Sequence, residues 1–398
     1  MAVASGRLAC AVLAVLAVGV AAADLPPGVR LAVRLTSDVS TKTSRPGDRV
    51  SAVLLAAVPL DGVVIPAGTR VRGVVRQATP FTWRNPQAVL RVDFDGLVDV
   101  RGQVTPMDAR VVEVDNARET VDSEGRVLGI VPPQSRPALV EELLLLAAFL
   151  PEAFAVDTAE YRLRAQERPD VVFAAGVEMT IETRSLTANV PTVSALATSV
   201  MDDDLRHLAV GQPLRTTAGA SRTPADITNV LLVGSRQQVE NAFRAAGWTS
   251  ADALGLRADV KTLLAVAEDR GYLEGPVSQQ WLQGALPDLV FQKQNNTFAK
   301  RHHVRLWRRP QTWQGRDAWL GAATHDVGIK FVSQERSFTH AIETSIDLER
   351  QKIVDDLAFA GATARAALAD RPSVPARSEN ATHDPVQTDG RIAVMILR

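Results

Sequence analysis

Asn229-Val230-Leu231-Leu232-Val233-Gly234-Ser235 is the stretch on which the reading of the second half of the chain turns. Val230 to Val233 form a continuous apolar strand, and Ser235 stands where a helix N-cap belongs, predicting a helix over 237–246. Gly247 closes that helix and Trp248 follows it. A second helix is predicted over 259–269, with Val260, Leu263, Leu264 and Ala267 on one face and a stop at Gly271. Strands follow at 289–294, 303–309, 319–325 and 391–397. An amphipathic helix over 346–360 precedes the last of them, with Ile346, Ile353, Val354 and Leu357 along one side. This order of elements predicts an α+β domain over 229–398 with a mostly antiparallel sheet.

Working back toward the N-terminus, the pattern changes to short alternating runs broken by turn formers. Val29–Leu35, Val50–Val58, Val71–Val75, Val89–Phe94 and Val98–Val104 read as strands. Pro46-Gly47-Asp48, Asp61-Gly62 and Pro66-Ala67-Gly68 read as the turns between them. Many short strands at this spacing predict a small β-sandwich or barrel over 24–131. Residues 132–186 read as a helical connector, helical over 138–156, with a last strand within 171–183. The Thr/Ala/Pro/Ser-rich stretch 187–228 reads as a linker, where protease would cut first.

Residues 1–23 read as a signal peptide: Arg7, an uncharged apolar run from Leu8 to Val20, then Ala21-Ala22-Ala23 before Asp24. A retained anchor is the alternative, but the run falls short of the ~20 residues usual for a spanning helix. Cys10 is the one cysteine and lies in that segment. A processed chain would thus have no disulfide, thiol nucleophile or cysteine-ligated zinc. An Ala-, Val- and Arg-rich chain of this kind is expected to be bacterial and exported, to the periplasm or cell surface. The formal net charge is -1, so a global basic field for nucleic acid is missing, and an envelope or membrane-associated partner is the better expectation.

Two resemblances follow from these residues. The first segment is similar to a β-rich domain at the front of many bacterial envelope proteins. That likeness is carried by Leu35-Thr36-Ser37-Asp38, Arg45-Pro46-Gly47-Asp48-Arg49-Val50, and Ile65-Pro66-Ala67-Gly68-Thr69 with Gly73. About residues 225–398 resemble the LssY C-terminal domain family. Its carriers are the opening heptad, Ala245-Ala246-Gly247-Trp248, Pro276-Val277-Ser278 and Arg301-His302-His303-Val304-Arg305-Leu306-Trp307. Further along stand Trp319-Leu320-Gly321-Ala322-Ala323, His340, Asp347-Leu348-Glu349-Arg350 and Thr388-Asp389-Gly390-Arg391. In other proteins this domain is appended to membrane phosphatase-like and transporter-like modules. The resemblance implies the fold and no particular reaction.

The polar residues that would carry chemistry cluster late in the chain, where five of the six histidines lie. Strand alternation puts His303, Arg305 and Trp307 on one face and His302, Val304 and Leu306 on the other. Val304 and Leu306 are the natural core side, so His303 and Arg305 are expected on an open face. His325 is expected with them, close to His340 and the first turn of the 346–360 helix. Three readings stay open. His303, Arg305 and Arg391 form a cationic pocket for a small anionic ligand, phosphate or carboxylate. His303, His325, His340 and Asp347 hold a divalent metal. Or Asp347, Gln351 and Asp355 are only the solvated stripe of a helix whose first turn favours acids. No Gly-x-Ser-x-Gly elbow, Walker loop or Rossmann glycine pattern is present, and no cofactor is assigned. The expected function is a ligand-binding or interaction module of the cell envelope. A metal-assisted or acid/base hydrolase of a phosphorylated or envelope substrate is the alternative, and whether the chain is an enzyme stays open.

Overall fold

The structure is a computed structural model that describes residues 22–61, 63–82, 84–115, 117–131, 169–194, 201–219, 221–250, 280–293, 301–332 and 337–398. The apolar leader as far as residue 21, the expected helices at 138–156 and 259–269, and Pro276-Val277-Ser278 lie outside the described residues. Elements are labelled below where they matter for the site.

In Arg30–Leu35 (β1), Leu31, Val33 and Leu35 are buried while Arg30 and Ala32 face water. Arg49–Leu54 (β2) repeats the pattern with Val50, Ala52 and Leu54. Arg70–Thr79 (β3), Val89–Val98 (β4), Val104–Val114 (β5) and Glu178–Thr183 (β6) complete the set. They run in the order β4-β3-β2-β1-β6-β5, all antiparallel, and β5 pairs back onto β4. The sheet therefore closes into a six-stranded barrel around Leu31, Val33, Leu54, Leu90, Phe94, Val111 and Ile181. Closure leaves no free edge in this ring, which an open sheet would expose.

Two expectations change here. Residues 24–131 do not close the barrel by themselves. β6, expected within the connector segment, fills the gap between β1 and β5 because Met179 and Ile181 need the barrel core. Val98–Val104 is not a strand but the turn between β4 and β5. The Asp99 carboxylate accepts from the amides of Arg101 and Gln103 and bends the chain there, leaving Val100 exposed.

The C-terminal half is built on a second sheet. Its strands are Val230–Val233 (β9), Trp248–Ser250 (β10), Leu289–Lys293 (β12), Arg301–Trp313 (β13), Arg316–Val332 (β14), Ser337–Ile342 (β15), Thr363–Asp370 (β16) and Arg391–Leu397 (β17). The order is β10-β12-β13-β14-β9-β17-β16, with β15 on the far part of β14. Among the described residues of this sheet β9 and β17 run parallel, and the other pairings are antiparallel. β9 is buried on both faces, which is what a run of four apolar residues demands.

Val230 and Leu232 pack with Arg236–Ala245 (α2) and Ile346–Phe359 (α3), through Val239, Phe243, Ile353 and Leu357. Leu231 and Val233 pack with Asp203–Val210 (α1), through Leu205 and Ala209. α2 starts with a full capping box: the Ser235 hydroxyl accepts from the Gln238 amide, and the Gln238 side chain accepts from the Ser235 amide. Arg215–Ala218 (β7), Thr223–Ile227 (β8) and Gln280–Trp281 (β11) form a small sheet in the order β8-β7-β11. α1, β7 and β8 all lie within 187–228, the stretch expected as a linker. Its apolar residues are few, but Leu205, Ala209 and Ile227 are placed to bury. Among the described residues no helix is long and apolar enough to cross a membrane.

Candidate functional site

The β13–β14 hairpin positions most of the polar residues. Gln314 and Gly315 both take positive φ, 49° and 73°, and make a two-residue turn between Trp313 and Arg316. An irregularity between Arg309 and Thr312 then shifts the register by two residues, which preserves the faces. His302 lies directly opposite His325, and His303 opposite Thr324. One face thus carries His302, Val304 and Leu306 with Trp319, Gly321, Ala323 and His325. The other carries Arg301, His303, Arg305 and Trp307 with Leu320, Ala322, Thr324 and Asp326.

The second of these faces holds a buried polar chamber beneath the small sheet. Asp226 on β8 accepts from Arg305 at 3.3 Å and from the Gln280 side chain at 2.6 Å. Gln280 in turn accepts from the Thr216 hydroxyl at 2.6 Å. Asp326 pairs with Arg301 at 3.4 Å. The His303 ring meets Asp326 at 3.7 Å through Nδ1 and the Thr324 hydroxyl at 2.8 Å through Nε2. Burial pushes the Asp326 carboxyl up to about 7, even against Arg301 and Arg305. The expectation of an open face is overturned: His303 and Arg305 are buried, although among polar groups and not aliphatic ones. The covering layer is the small sheet, whose strands β7 and β8 come from the supposed linker.

The first face ends at the barrel. There His302 is held at both nitrogens, Nδ1 by Glu349 of α3 and Nε2 by Asp115 at the end of β5, each at 2.6 Å. Burial would lower the His302 pKa, but Asp115 and Glu349 outweigh it and raise it to about 9. His325 stacks on His302, ring centres 3.9 Å apart and planes 18° apart. Beside them Glu178 of β6 accepts from Arg34 at 2.6 Å and from Lys352 at 2.5 Å, and lies 3.2 Å from Lys293. Lys352 also reaches Asp115 at 3.2 Å. Asp356 accepts from Lys293 at 2.8 Å and from the Trp248 indole at 2.9 Å. Burial would raise Glu178, yet Lys352 and Lys293 bring it down to about 2. Four carboxylates, Asp115, Glu178, Glu349 and Asp356, thus meet four cations, Arg34, Lys293, His302 and Lys352. Three of the eight groups come from the barrel. Such a set is held by mutual pairing, since any one left unpaired would bear the full cost of its burial.

A third group sits where α3 meets the start of β17. Arg350 is gripped by both oxygens of Asp389, at 2.7 and 2.9 Å, and by Asp347 at 3.0 Å. Asp347 also accepts from the Thr388 hydroxyl and the Asp389 amide, both at 2.7 Å. Arg391 donates to Asp389 at 2.8 Å.

The residues singled out in the sequence therefore separate. His303 and Arg305 share the chamber. His325 joins His302 and Asp115 on the opposite face, which corrects its expected grouping with His303. Asp347 and Arg391 meet through Asp389. His340 lies in β15 opposite Ile329, four positions beyond His325 along β14. The sequence reading missed Asp115, Glu178, Asp226, Lys293, Glu349 and Lys352 as partners. One signal was present: a two-residue turn at Gln314-Gly315 puts even residues of β13 on the same face as odd residues of β14, and so His302 on the face of His325.

Barrel and mixed sheet, joined by a buried ionic seam, make up a mostly β protein. Residues 210–392 match the family described as LssY C-terminus, the family that the C-terminal residues resemble. No curated protein matches the chain. Among solved structures the chain is similar to ComB10 of the Com type IV secretion system of Helicobacter pylori. The identity is 12% and the TM-score 0.24, over 42% of this chain and 92% of that one, a likeness too slight to bear on fold or role.

Proposed function

We propose that this is an exported cell-envelope protein whose LssY-type domain is a ligand-binding or interaction module with a polar site for a small anion. The observation that supports the reading is the chamber of β13. Arg301 and Arg305 lie there with His303, opposed by Asp226 and by an Asp326 that gives up its charge near neutral pH. Two guanidinium groups and an imidazole are thus brought together out of water, and the planar donor fork of arginine suits a phosphate or carboxylate group. Export is supported by the residues from Arg7 to Asp24, and N-terminal sequencing of periplasmic material should begin at Asp24.

Inorganic phosphate is the test ligand. Calorimetric titration of the full chain should show saturable binding, and saturating phosphate should raise the unfolding midpoint. Arg301→Gln should weaken both effects. A wild-type chain with no saturable uptake of phosphate, or one that turns over a phosphate monoester with saturation kinetics, would overturn a binding-only role.

A further inference from the structure

We propose that Asp115, His302 and His325 form a binding site for a divalent transition-metal ion of the zinc class, placed where the barrel meets the C-terminal domain. This site is on the opposite face of the sheet from the anion chamber and stands independently of it. One donor atom from each of the three residues lies within 4.8 Å of the other two. His302 and His325 are directly opposed on neighbouring antiparallel strands, so the backbone ladder fixes their separation. Asp115 is brought in from the barrel, where its amide is tied to the Glu178 carbonyl at 3.0 Å.

The partner of the other ring nitrogen of His302 points the same way. A histidine that binds a metal through one ring nitrogen commonly donates its other N–H to a carboxylate, which fixes ring and tautomer. Glu349 occupies that place on His302, 2.6 Å from Nδ1. Nε2 is thereby directed to Asp115, at 2.6 Å. An ion bound at ~2.0–2.2 Å from each donor needs them roughly 3.3 Å apart. Asp115, with a fifth of its side-chain surface still exposed, is the member able to move by that amount. His325 must also turn from its stacked position to aim a nitrogen at the same point.

Two imidazoles and a carboxylate, without a thiolate, suit zinc and its neighbours better than calcium or magnesium, which prefer all-oxygen shells. Three protein donors leave a fourth position for water or a ligand atom. Lys352 is the adverse neighbour, 3.2 Å from Asp115, but Glu178 takes up its charge at 2.5 Å.

The experiment uses the untagged full chain, stripped with chelator and titrated with Zn2+ alone. One equivalent should bind, and metal analysis after dialysis should recover it. His325→Ala and Asp115→Asn should each weaken binding by tenfold or more, while Glu349→Gln, which loosens the hold on His302 Nδ1, should do so by about 10–100-fold. His303→Ala, on the other face of the sheet, should leave zinc affinity within twofold of wild type. Because variants at a buried junction can lose the fold, Co2+ loaded into the wild type supplies a separate readout: strong visible absorption of a four-coordinate N/O site. Absence of stoichiometric zinc uptake by the wild type, uptake indifferent to His325→Ala in a folded variant, or only weak six-coordinate cobalt bands would each overturn the assignment.

Discussion

Replacing Glu178 by glutamine keeps the shape of the side chain and removes one charge from the ionic seam. In the folded protein Glu178 is buried and faces Arg34, Lys293 and Lys352. Bringing a glutamate from its ordinary 4.5 down to about 2 corresponds to about 3 kcal/mol at neutral pH, at roughly 1.4 kcal/mol for each tenfold change in proton affinity. Loss of one partner from a buried pair falls in the same range, ~3–5 kcal/mol. The pH dependence has a definite sign. The folded pKa is depressed, so the stabilisation is fully present above 4.5 and disappears as pH falls toward about 2. Glu178→Gln should therefore lower stability by about 3 kcal/mol at pH 7, and by much less at pH 3. Urea unfolding followed by circular dichroism at both pH values measures this. An unchanged midpoint at pH 7, or a deficit that stays the same in acid, would refute the seam as described.

Gly321→Ala tests the packing of the central strands. A Cβ there would lie 2.4 Å from Val230 Cγ2 and 2.7 Å from Leu306 Cδ2, so overpacking should destabilise by about 1–3 kcal/mol in the same urea assay. Asp389→Asn removes the two-pronged grip on Arg350 and should cost about 1–2 kcal/mol at neutral pH. Arg350 holds the Asp389 carboxyl well below the usual range. Wild type and this variant should therefore converge in stability as the pH drops beneath the ordinary aspartate value.

Much of this fold was legible because its signals are local. Alternating valines and leucines in β1 and β2, the Ser235 cap and the apolar face of α3 each need only a few neighbouring residues to be read. Barrel closure was not, because β6 enters the ring through pairings with β1 across some 140–150 residues of sequence, for which side-chain pattern carries no address. The site divided along the same line. Parity within β13 correctly separated His303 and Arg305 from His302, Val304 and Leu306. Which face met water was misjudged, since Thr216 and Asp226 come from a polar stretch that gives little sign of burial, and Gln280 joins them from 54 residues further on. The seam was invisible for a simpler reason. Asp115 and Glu178 meet Lys293, His302 and Lys352 across more than a hundred residues of sequence, and no spacing in the chain foretells that meeting.

The central claim is that the two domains share one buried ionic junction with His302 between Asp115 and Glu349. A double-mutant cycle of Asp115→Asn and His302→Gln, run by urea unfolding in the presence of chelator, tests it most directly. The account predicts a coupling of about 2 kcal/mol, because the two side chains share a charged hydrogen bond away from water. Single effects that add within about 0.5 kcal/mol would show that barrel and C-terminal domain do not meet at these residues, and would contradict it.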